Sequence, residues 1–206
     1  KEFTDRMIVE TKKAAERLSA KSASLTITNR KPPTISVIPF KKTKIAAISI
    51  STKKEDPSEQ LVNSDGFSGA YLVEEALPIA YKKTWQNGEP TPGICLLTLF
   101  RKKKNLEYKI FLDRWHNSHT PLTLKVHPIY HYNRNVVRNT LAGDSELVDG
   151  IVEEHVIKPS LLLNPAKFFG GPLMMPINMI RVYFDVRSFL DYGSVEPYLV
   201  REFVIK

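Results

Sequence analysis

All five histidines of the chain lie between His116 and His155, within 40 positions of a 206-residue sequence. Histidine is the side chain whose charge changes near neutral pH, so it serves as a general acid or base, a hydrogen-bond donor or a metal ligand. Five histidines scattered at random over the chain would rarely be so concentrated. The pattern therefore directs the search for chemistry to the second half of the sequence.

One histidine continues an aromatic line. Phe111, Trp115 and His119 follow one another at steps of four, which places them on one face of an α-helix. Asn105 is the expected N-cap, and Pro121 predicts that this helix ends near His119, where the helix dipole favours an imidazolium. The pattern predicts that His119 is a proton shuttle or hydrogen-bond donor to a ligand. The equally weighted alternative is a histidine that caps the helix and packs on Trp115.

Polar side chains on two strand-like runs, residues 129–137 and 148–157, supply further candidates. In the first run, strand alternation places His131, Asn133 and Asn135 on one face. In the second run, it places Asp149, Ile151, Glu153 and His155 on one face. Because polar groups at strand centres are costly to bury unpaired, a cluster of His131, Glu153 and His155 facing a cavity would indicate ligand contact. The alternatives are a barrel end or edge strand wetted by solvent, or a site on the other face with Tyr132 and Arg134.

The candidate acids and histidines form no compact metal motif. His119, His131, Glu153 and His155 have suitable side chains, but their spacing fits no short zinc pattern, so the sequence indicates no metal. The alternative is a metal bound by one acid and two histidines from different strands. It indicates no cofactor, with haem bound by a lone histidine as the alternative. The sequence has no glycine-rich phosphate loop, Cys–His dyad or Gly-x-Ser-x-Gly elbow, which argues against nucleotide cofactors and acyl-enzyme chemistry.

A family resemblance begins in the same helix. The block Phe111-x-x-x-Trp115-x-x-x-His119-Thr120-Pro121-Leu122 resembles the helix signature of the EthD-like family. Three further blocks follow in family order within residues 92–205: Tyr132 to Val136, Asp149 to Glu153, and Asp185 to Asp191. The resemblance implies a dimeric α/β-barrel fold, with both units here supplied by one chain. Relatives of this architecture include monooxygenases, isomerases, dehydratases, haem enzymes and proteins of unknown role.

From this resemblance we expect a protein that binds a small apolar or aromatic compound in the barrel. As a cofactor-free oxidoreductase or isomerase/dehydratase, it would use His119 as the acid/base. Phe111 and Trp115 would form the pocket wall, and Tyr132 or Glu153 would position the substrate. The full set of expected ligand-binding residues is Phe111, Trp115, His131, Tyr132, Asn135, Glu153 and His155. The alternative is a non-catalytic small-molecule-binding or stress-response barrel.

The order of elements predicts two similar halves. Helices are expected near residues 3–18, 105–119 and 178–190, strands near 24–28, 44–51, 70–80, 93–100, 129–137, 148–157 and 198–205, and polar or irregular segments at 55–69 and 159–176. Residues 92–206 then have the order of a split βαβ unit. Residues 1–83 have the same order without its first strand, which we expect to lie just before residue 1.

The linker and a short repeat support this division. Asn87-Gly88, Pro90 and Pro92-Gly93 mark the boundary. The closing strands of the two halves carry AYLVEE (residues 70–75) and PYLVRE (residues 197–202). We therefore predict an α+β fold of two tandem ferredoxin-like units, packed sheet to sheet as an intrachain α/β barrel.

Composition narrows the class of protein. The 42% hydrophobic and 25% charged content predicts a globular core, and a single cysteine, Cys95, excludes an intrachain disulfide. The net charge of +8 comes from short basic clusters that read as solvated turns, so no nucleic-acid partner is expected. No run approaches a membrane span or a signal peptide, which predicts a soluble cytoplasmic protein without a membrane partner. It would be a monomeric pseudo-dimer or a homodimer.

Overall fold

The computed structural model describes residues 2–53, 66–143 and 147–206 as an α+β fold built on one antiparallel sheet. The helices are α1 (Glu2–Arg17), α2 (Tyr108–Asp113), α3 (Thr120–Val126), α4 (Pro159–Leu163), α5 (Pro165–Phe168) and α6 (Met175–Phe189). The strands are β1 (Ser22–Ile27), β2 (Ala46–Ser51), β3 (Ala70–Ile79), β4 (Ile94–Phe100), β5 (His131–Ala142), β6 (Gly150–Val156) and β7 (Glu196–Val204). A π-helical stretch (Arg114–His119) joins α2 to α3, and a 3₁₀ turn (Tyr192–Ser194) precedes β7.

The seven strands follow the order β2-β1-β7-β4-β6-β5-β3, with every neighbouring pair antiparallel. The sheet curls into a half-barrel. The helices pack against one face of the sheet, which we call the helix face, and the opposite face is the concave face. The four strands of residues 92–206 form the centre of the sheet. The three strands of residues 1–83 lie at its two ends, so backbone pairing joins both halves of the chain into one sheet.

Strand alternation explains how the first half attaches to this sheet. On β1, Leu25 and Ile27 are completely buried in the cluster under α1, whereas Thr26 points to the opposite, concave face. Burying each of these aliphatic side chains contributes about 1.5–3 kcal/mol. Helix α1 approaches closely because Ala14 and Ala15 form part of its buried face.

The helix face of the second half holds an aromatic core. Phe111, Trp115 and Phe189 are fully buried there together with Phe100. Gly150 lies directly beneath the indole, because a Cβ built on it would come within 2.6 Å of a Trp115 ring carbon and 2.5 Å of Phe100. The glycine therefore lets Trp115 pack directly on the sheet.

The structure corrects the predicted helix of residues 105–119. Asn105 is not its N-cap, because its φ of 62° belongs to a left-handed turn and the helix begins at Tyr108. The helix also does not end near His119 but continues through the π-helical stretch to Val126. The wider turn pairs the Thr120 amide with the Trp115 carbonyl, five residues back, and Pro121 then occupies the first turn of α3, where no amide donor is needed.

The other predicted elements are present with shifted ends. The first helix and the expected strands correspond to α1 and β1–β7, and the last expected helix corresponds to α6. Part of the predicted irregular segment 159–176 forms the short helices α4 and α5. Most of the predicted polar segment 55–69 lies outside the described residues. Among the described helices, none combines the length and the apolar character needed to cross a membrane.

Candidate functional site

The sheet separates the residues that the sequence grouped into one site. On β5, Tyr132 joins the aromatic core of the helix face. His131 and Asn135 alternate with it and lie on the concave face, where β6 adds Glu153 and His155 opposite them. The predicted set therefore divides into a helix-face group (Phe111, Trp115, His119 and Tyr132) and a concave-face group (His131, Asn135, Glu153 and His155).

The aromatic members of the helix-face group lie in a packed core. Phe111, Trp115 and Tyr132 are each 0% exposed, and the rings of Phe111 and Trp115 are 5.5 Å apart. Arg134, the other candidate on this face, donates from Nη1 to Thr120 Oγ1 at 3.0 Å and lies 5.8 Å from the centre of the Trp115 ring. These contacts are those of a structural core.

His119 is held between two helices. Its Nδ1 lies 2.7 Å from Asp185 Oδ2 on α6, and its Nε2 lies 3.2 Å from Thr123 Oγ1 on α3. The imidazole also packs on Phe189, with ring centres 5.2 Å apart. Burial raises the pKa of Asp185, but hydrogen bonds from His119 and Ser118 outweigh this effect and lower it overall. With both ring nitrogens engaged, His119 joins α3 to α6.

The concave face carries a cluster of buried polar groups. The carboxylate of Glu153 accepts a hydrogen bond from Thr26 Oγ1 at 2.7 Å and one from Asn133 Nδ2 at 3.4 Å. Asn135 Nδ2 donates to Asn133 Oδ1 at 3.1 Å, and Asn133 Nδ2 donates to Glu75 on β3 at 2.9 Å. Strands β1, β3, β5 and β6 thus converge on one network, which neither half of the chain could form alone.

A second carboxylate, Glu202 on β7, completes this cluster. Its Oε2 accepts hydrogen bonds from Tyr81 Oη at 3.0 Å and from Thr91 Oγ1 at 2.7 Å. Glu202 and Glu153 are only 5% and 3% exposed. Their ligand atoms and a nitrogen of His155 all lie within 4.8 Å of one another. Two buried acids and an imidazole therefore converge on one small volume.

Two histidines of the cluster differ in their hydrogen bonding. His131 Nδ1 accepts from the backbone amide of Tyr81 at 3.3 Å. His155 is 1% exposed, and its Nε2 is buried without a hydrogen-bond partner among the described residues. Their rings meet edge to face, with centres 4.9 Å apart. An unpartnered polar atom inside a protein costs about 1–3 kcal/mol. Among the described residues, Nε2 of His116 and Nε of Arg134 are also buried without a partner, but His155 lies beside two buried acids.

Aromatic side chains frame the polar cluster. Tyr81 packs on His131 at 4.1 Å between ring centres and on Trp85 at 4.8 Å. Tyr130 approaches Tyr81 at 6.3 Å and His155 at 6.2 Å. Tyr81, Trp85 and Tyr130 are only partly buried. The cluster therefore has a flat aromatic border next to its polar floor, a combination found in sites for small organic molecules.

Burial changes the protonation of the cluster. It raises the pKa of Glu153 to about 7, and the negative charge of Glu202 contributes to this increase. Burial lowers the pKa of His155 to about 3 and that of His131 to about 4. It also raises the pKa of Tyr81, with a further contribution from Glu202. At neutral pH both imidazoles are therefore uncharged and able to act as hydrogen-bond acceptors or metal ligands.

The sequence prediction missed half of this cluster. Glu202, Thr26 and Tyr81 belong to distant parts of the chain, and Thr26 and Tyr81 lie in the first half, outside the region to which the histidines direct the search. The hexapeptide repeat held the available signal, because its two copies end in Glu75 and Glu202, which both enter the polar network. An open depression of about 670 Å³ on the outer side of α1 has no connection to this network.

Comparisons with family models, with curated proteins and with solved structures find no match to this chain. The functional conclusion therefore depends on the geometry of the two groups of residues. The helix-face group is packed and hydrogen-bonded, whereas the concave-face group brings buried acids and imidazoles together.

Proposed function

We propose that this chain is an EthD-like protein that binds a small apolar or aromatic compound against the concave face of its sheet. The observation that carries the proposal is the buried cluster of Glu153, Glu202 and His155, in which one imidazole nitrogen has no partner in the described part of the chain. A sheet stabilised only by packing would gain more from aliphatic side chains at these positions. The partly buried aromatic border of Tyr81, Trp85 and Tyr130 supplies stacking surfaces for a ring.

The fold that we propose for this function is a pair of tandem ferredoxin-like units forming an intrachain barrel. The strand order β7-β4-β6-β5 supports it, because it is the order in which the four strands of one such unit are arranged. The hexapeptide repeat also supports it: Glu202 pairs across the strands with Thr26, and Glu75 pairs with Asn135, so each closing strand meets the other unit in a similar way.

The two units within one chain would replace the two subunits of a dimeric barrel, giving a monomeric pseudo-dimer, with a homodimer as the alternative.

Two functions remain to be separated at this site. An oxidoreductase or an isomerase/dehydratase would draw its reacting groups from the concave face, because the contacts of His119 support a structural role for that residue. A non-catalytic binding or stress-response protein would use the same face to hold its ligand unchanged. Native mass spectrometry of the purified protein, with a visible absorption spectrum, identifies a retained compound and tests for haem.

Tryptophan fluorescence tests the location of the binding site. The chain has two tryptophans, of which Trp85 borders the cluster and Trp115 lies in the packed core. In a titration with small aromatic probes such as 1-naphthol, we expect saturable quenching in the wild type and in Glu154→Gln. The same titration of Trp85→Phe should give no quenching. Equal quenching of wild type and Trp85→Phe would contradict a site beside Trp85.

A further inference from the structure

The donor atoms on the concave face fit a metal ion. Glu153, His155 and Glu202 contribute two carboxylates and one imidazole, each 5% exposed or less, with ligand atoms within 4.8 Å of one another. Around a tetrahedral zinc ion with ligand bonds of about 2.0–2.2 Å, ligand atoms lie roughly 3.3 Å apart. Small side-chain movements would therefore bring all three groups to bonding distance.

The unpartnered nitrogen of His155 is an independent indication of a ligand. Its Nε2 is buried without a hydrogen bond to any residue in the ranges 2–53, 66–143 and 147–206, whereas the buried His127 on the helix face bonds through Nδ1 to the Phe168 carbonyl at 2.9 Å. A metal ion would complete the coordination of the imidazole. It would also compensate the repulsion between Glu153 and Glu202, which are buried close together.

The surrounding groups support the two carboxylates as they do in metal sites. Thr26 and Asn133 donate hydrogen bonds to Glu153, and Tyr81 and Thr91 donate to Glu202. Both bonds to Glu202 are made to Oε2, which leaves Oε1 as the oxygen available for a metal. Hydrogen-bond donors of this kind orient ligand side chains, and losing one typically costs about 10–100-fold in metal affinity.

We propose that Glu153, His155 and Glu202 bind a divalent transition-metal ion, with zinc favoured by the mixed nitrogen and oxygen donors and water completing the coordination. Glu202 was not among the candidate ligands that the sequence indicated. Glu202 is 47 positions from His155, and only the pairing of β7 with β4, and of β4 with β6, brings the two together.

Calorimetric titration of the chelator-treated full chain with Zn²⁺ tests this proposal. We expect one equivalent to bind, and the melting temperature to rise with zinc concentration, because the ion binds only the folded state. Glu153→Gln and Glu202→Gln should each weaken binding by at least about 100-fold, more than the loss of one supporting hydrogen bond. Tyr81→Phe should weaken it by about ten-fold or more for the same reason.

Glu154→Gln is the matched control, since Glu154 is buried on the same strand but points to the helix face. It should bind Zn²⁺ like the wild type. Visible absorption of the Co²⁺-loaded protein reports ligand geometry without relying on any variant. Absence of zinc binding by the wild type, or equal weakening in Glu153→Gln and Glu154→Gln, would overturn the proposal. Such a result would leave the binding of aromatic probes beside Trp85 as a separate question.

Discussion

The two faces of the central sheet bury polar groups in different ways. On the helix face, His119 bonds to Asp185 and Thr123, and His127 bonds to a backbone carbonyl. On the concave face, Glu153 and Glu202 converge on His155, whose Nε2 has no partner among the residues that the structure describes. A buried histidine is therefore not in itself a sign of function. A buried histidine whose hydrogen bonds are incomplete, next to two acids, is the more informative observation.

The two tryptophans give the largest expected contrast between these regions. Trp115→Ala removes a completely buried indole from the aromatic core and should lower the free energy of unfolding by about 3–5 kcal/mol. Trp85→Ala removes a partly buried ring beside the concave cluster and should change it by less than about 1 kcal/mol. Urea denaturation measures both values. Similar losses in the two variants would remove the distinction between a packed face and a binding face.

Acid sensitivity gives the next largest effect. Burial lowers the pKa of His127 to about 4 from 6.5, opposed by its bond to Phe168 and assisted by the nearby charge of His119. Between these values the unfolded chain binds a proton at His127 and the folded chain does not. The stability that this residue contributes is therefore complete above about pH 6.5 and is lost as the pH falls towards 4, by about 3 kcal/mol.

His127→Gln tests this assignment by urea denaturation across the same pH range. The free energy of unfolding of the variant should fall less steeply with decreasing pH than that of the wild type, by a slope that corresponds to about one proton. His131 and His155 should account for the pH dependence of stability that remains. Identical slopes for variant and wild type would show that His127 does not titrate in this way.

The same substitution should have opposite effects on the two faces. His155→Leu replaces an unpartnered imidazole with an apolar side chain and should raise the free energy of unfolding by about 1–2 kcal/mol in the absence of metal. His127→Leu leaves the Phe168 carbonyl without its donor and should lower it by about 1–3 kcal/mol. Thermal unfolding of metal-free protein at pH 7.5 compares them. Destabilisation by both substitutions would mean that His155 is a structural residue.

The smallest expected effect concerns the contact between His119 and Asp185. Their side chains are 15% and 12% exposed, so we expect a coupling of about 1 kcal/mol in a double-mutant cycle of His119→Ala and Asp185→Ala. Aromatic-probe binding should be unchanged in all three variants, because the pair lies on the helix face. Loss of probe binding or of turnover in His119→Ala, with stability retained, would restore a functional role to this histidine.

Regular elements were predictable from the sequence because their signals are local. Apolar periodicity predicted α1, and alternation predicted β5 and β6 together with the side chains that share a face. The π-helical stretch was not predictable, because the steps from Phe111 to His119 fit an ordinary α-helix. That stretch pairs the Thr120 amide with the Trp115 carbonyl, and His119 at its end contacts Asp185 on α6.

The site was only half predictable because its other half comes from long-range strand pairing. Alternation correctly placed His131, Glu153 and His155 on one face of the sheet. It gave no information on whether the helix with Phe111, Trp115 and His119 packs against that face or the opposite one. Glu202 and Thr26 reach the cluster through the pairing of β7 with both β4 and β1. Sequence spacing does not encode such register, whereas the repeated hexapeptide ending in Glu75 and Glu202 held a usable hint.

The five histidines allow the central claim to be tested in one experiment, because they sample both faces of the sheet. The measurement is the ¹⁵N NMR spectrum of the imidazoles during titration of the full chain with Zn²⁺. If Glu153, His155 and Glu202 bind zinc, the chemical shifts of His155 should change strongly, those of its neighbour His131 less, and those of His119 and His127 not at all. Changes at His119 or His127 with an unaltered His155 would show that zinc binds elsewhere.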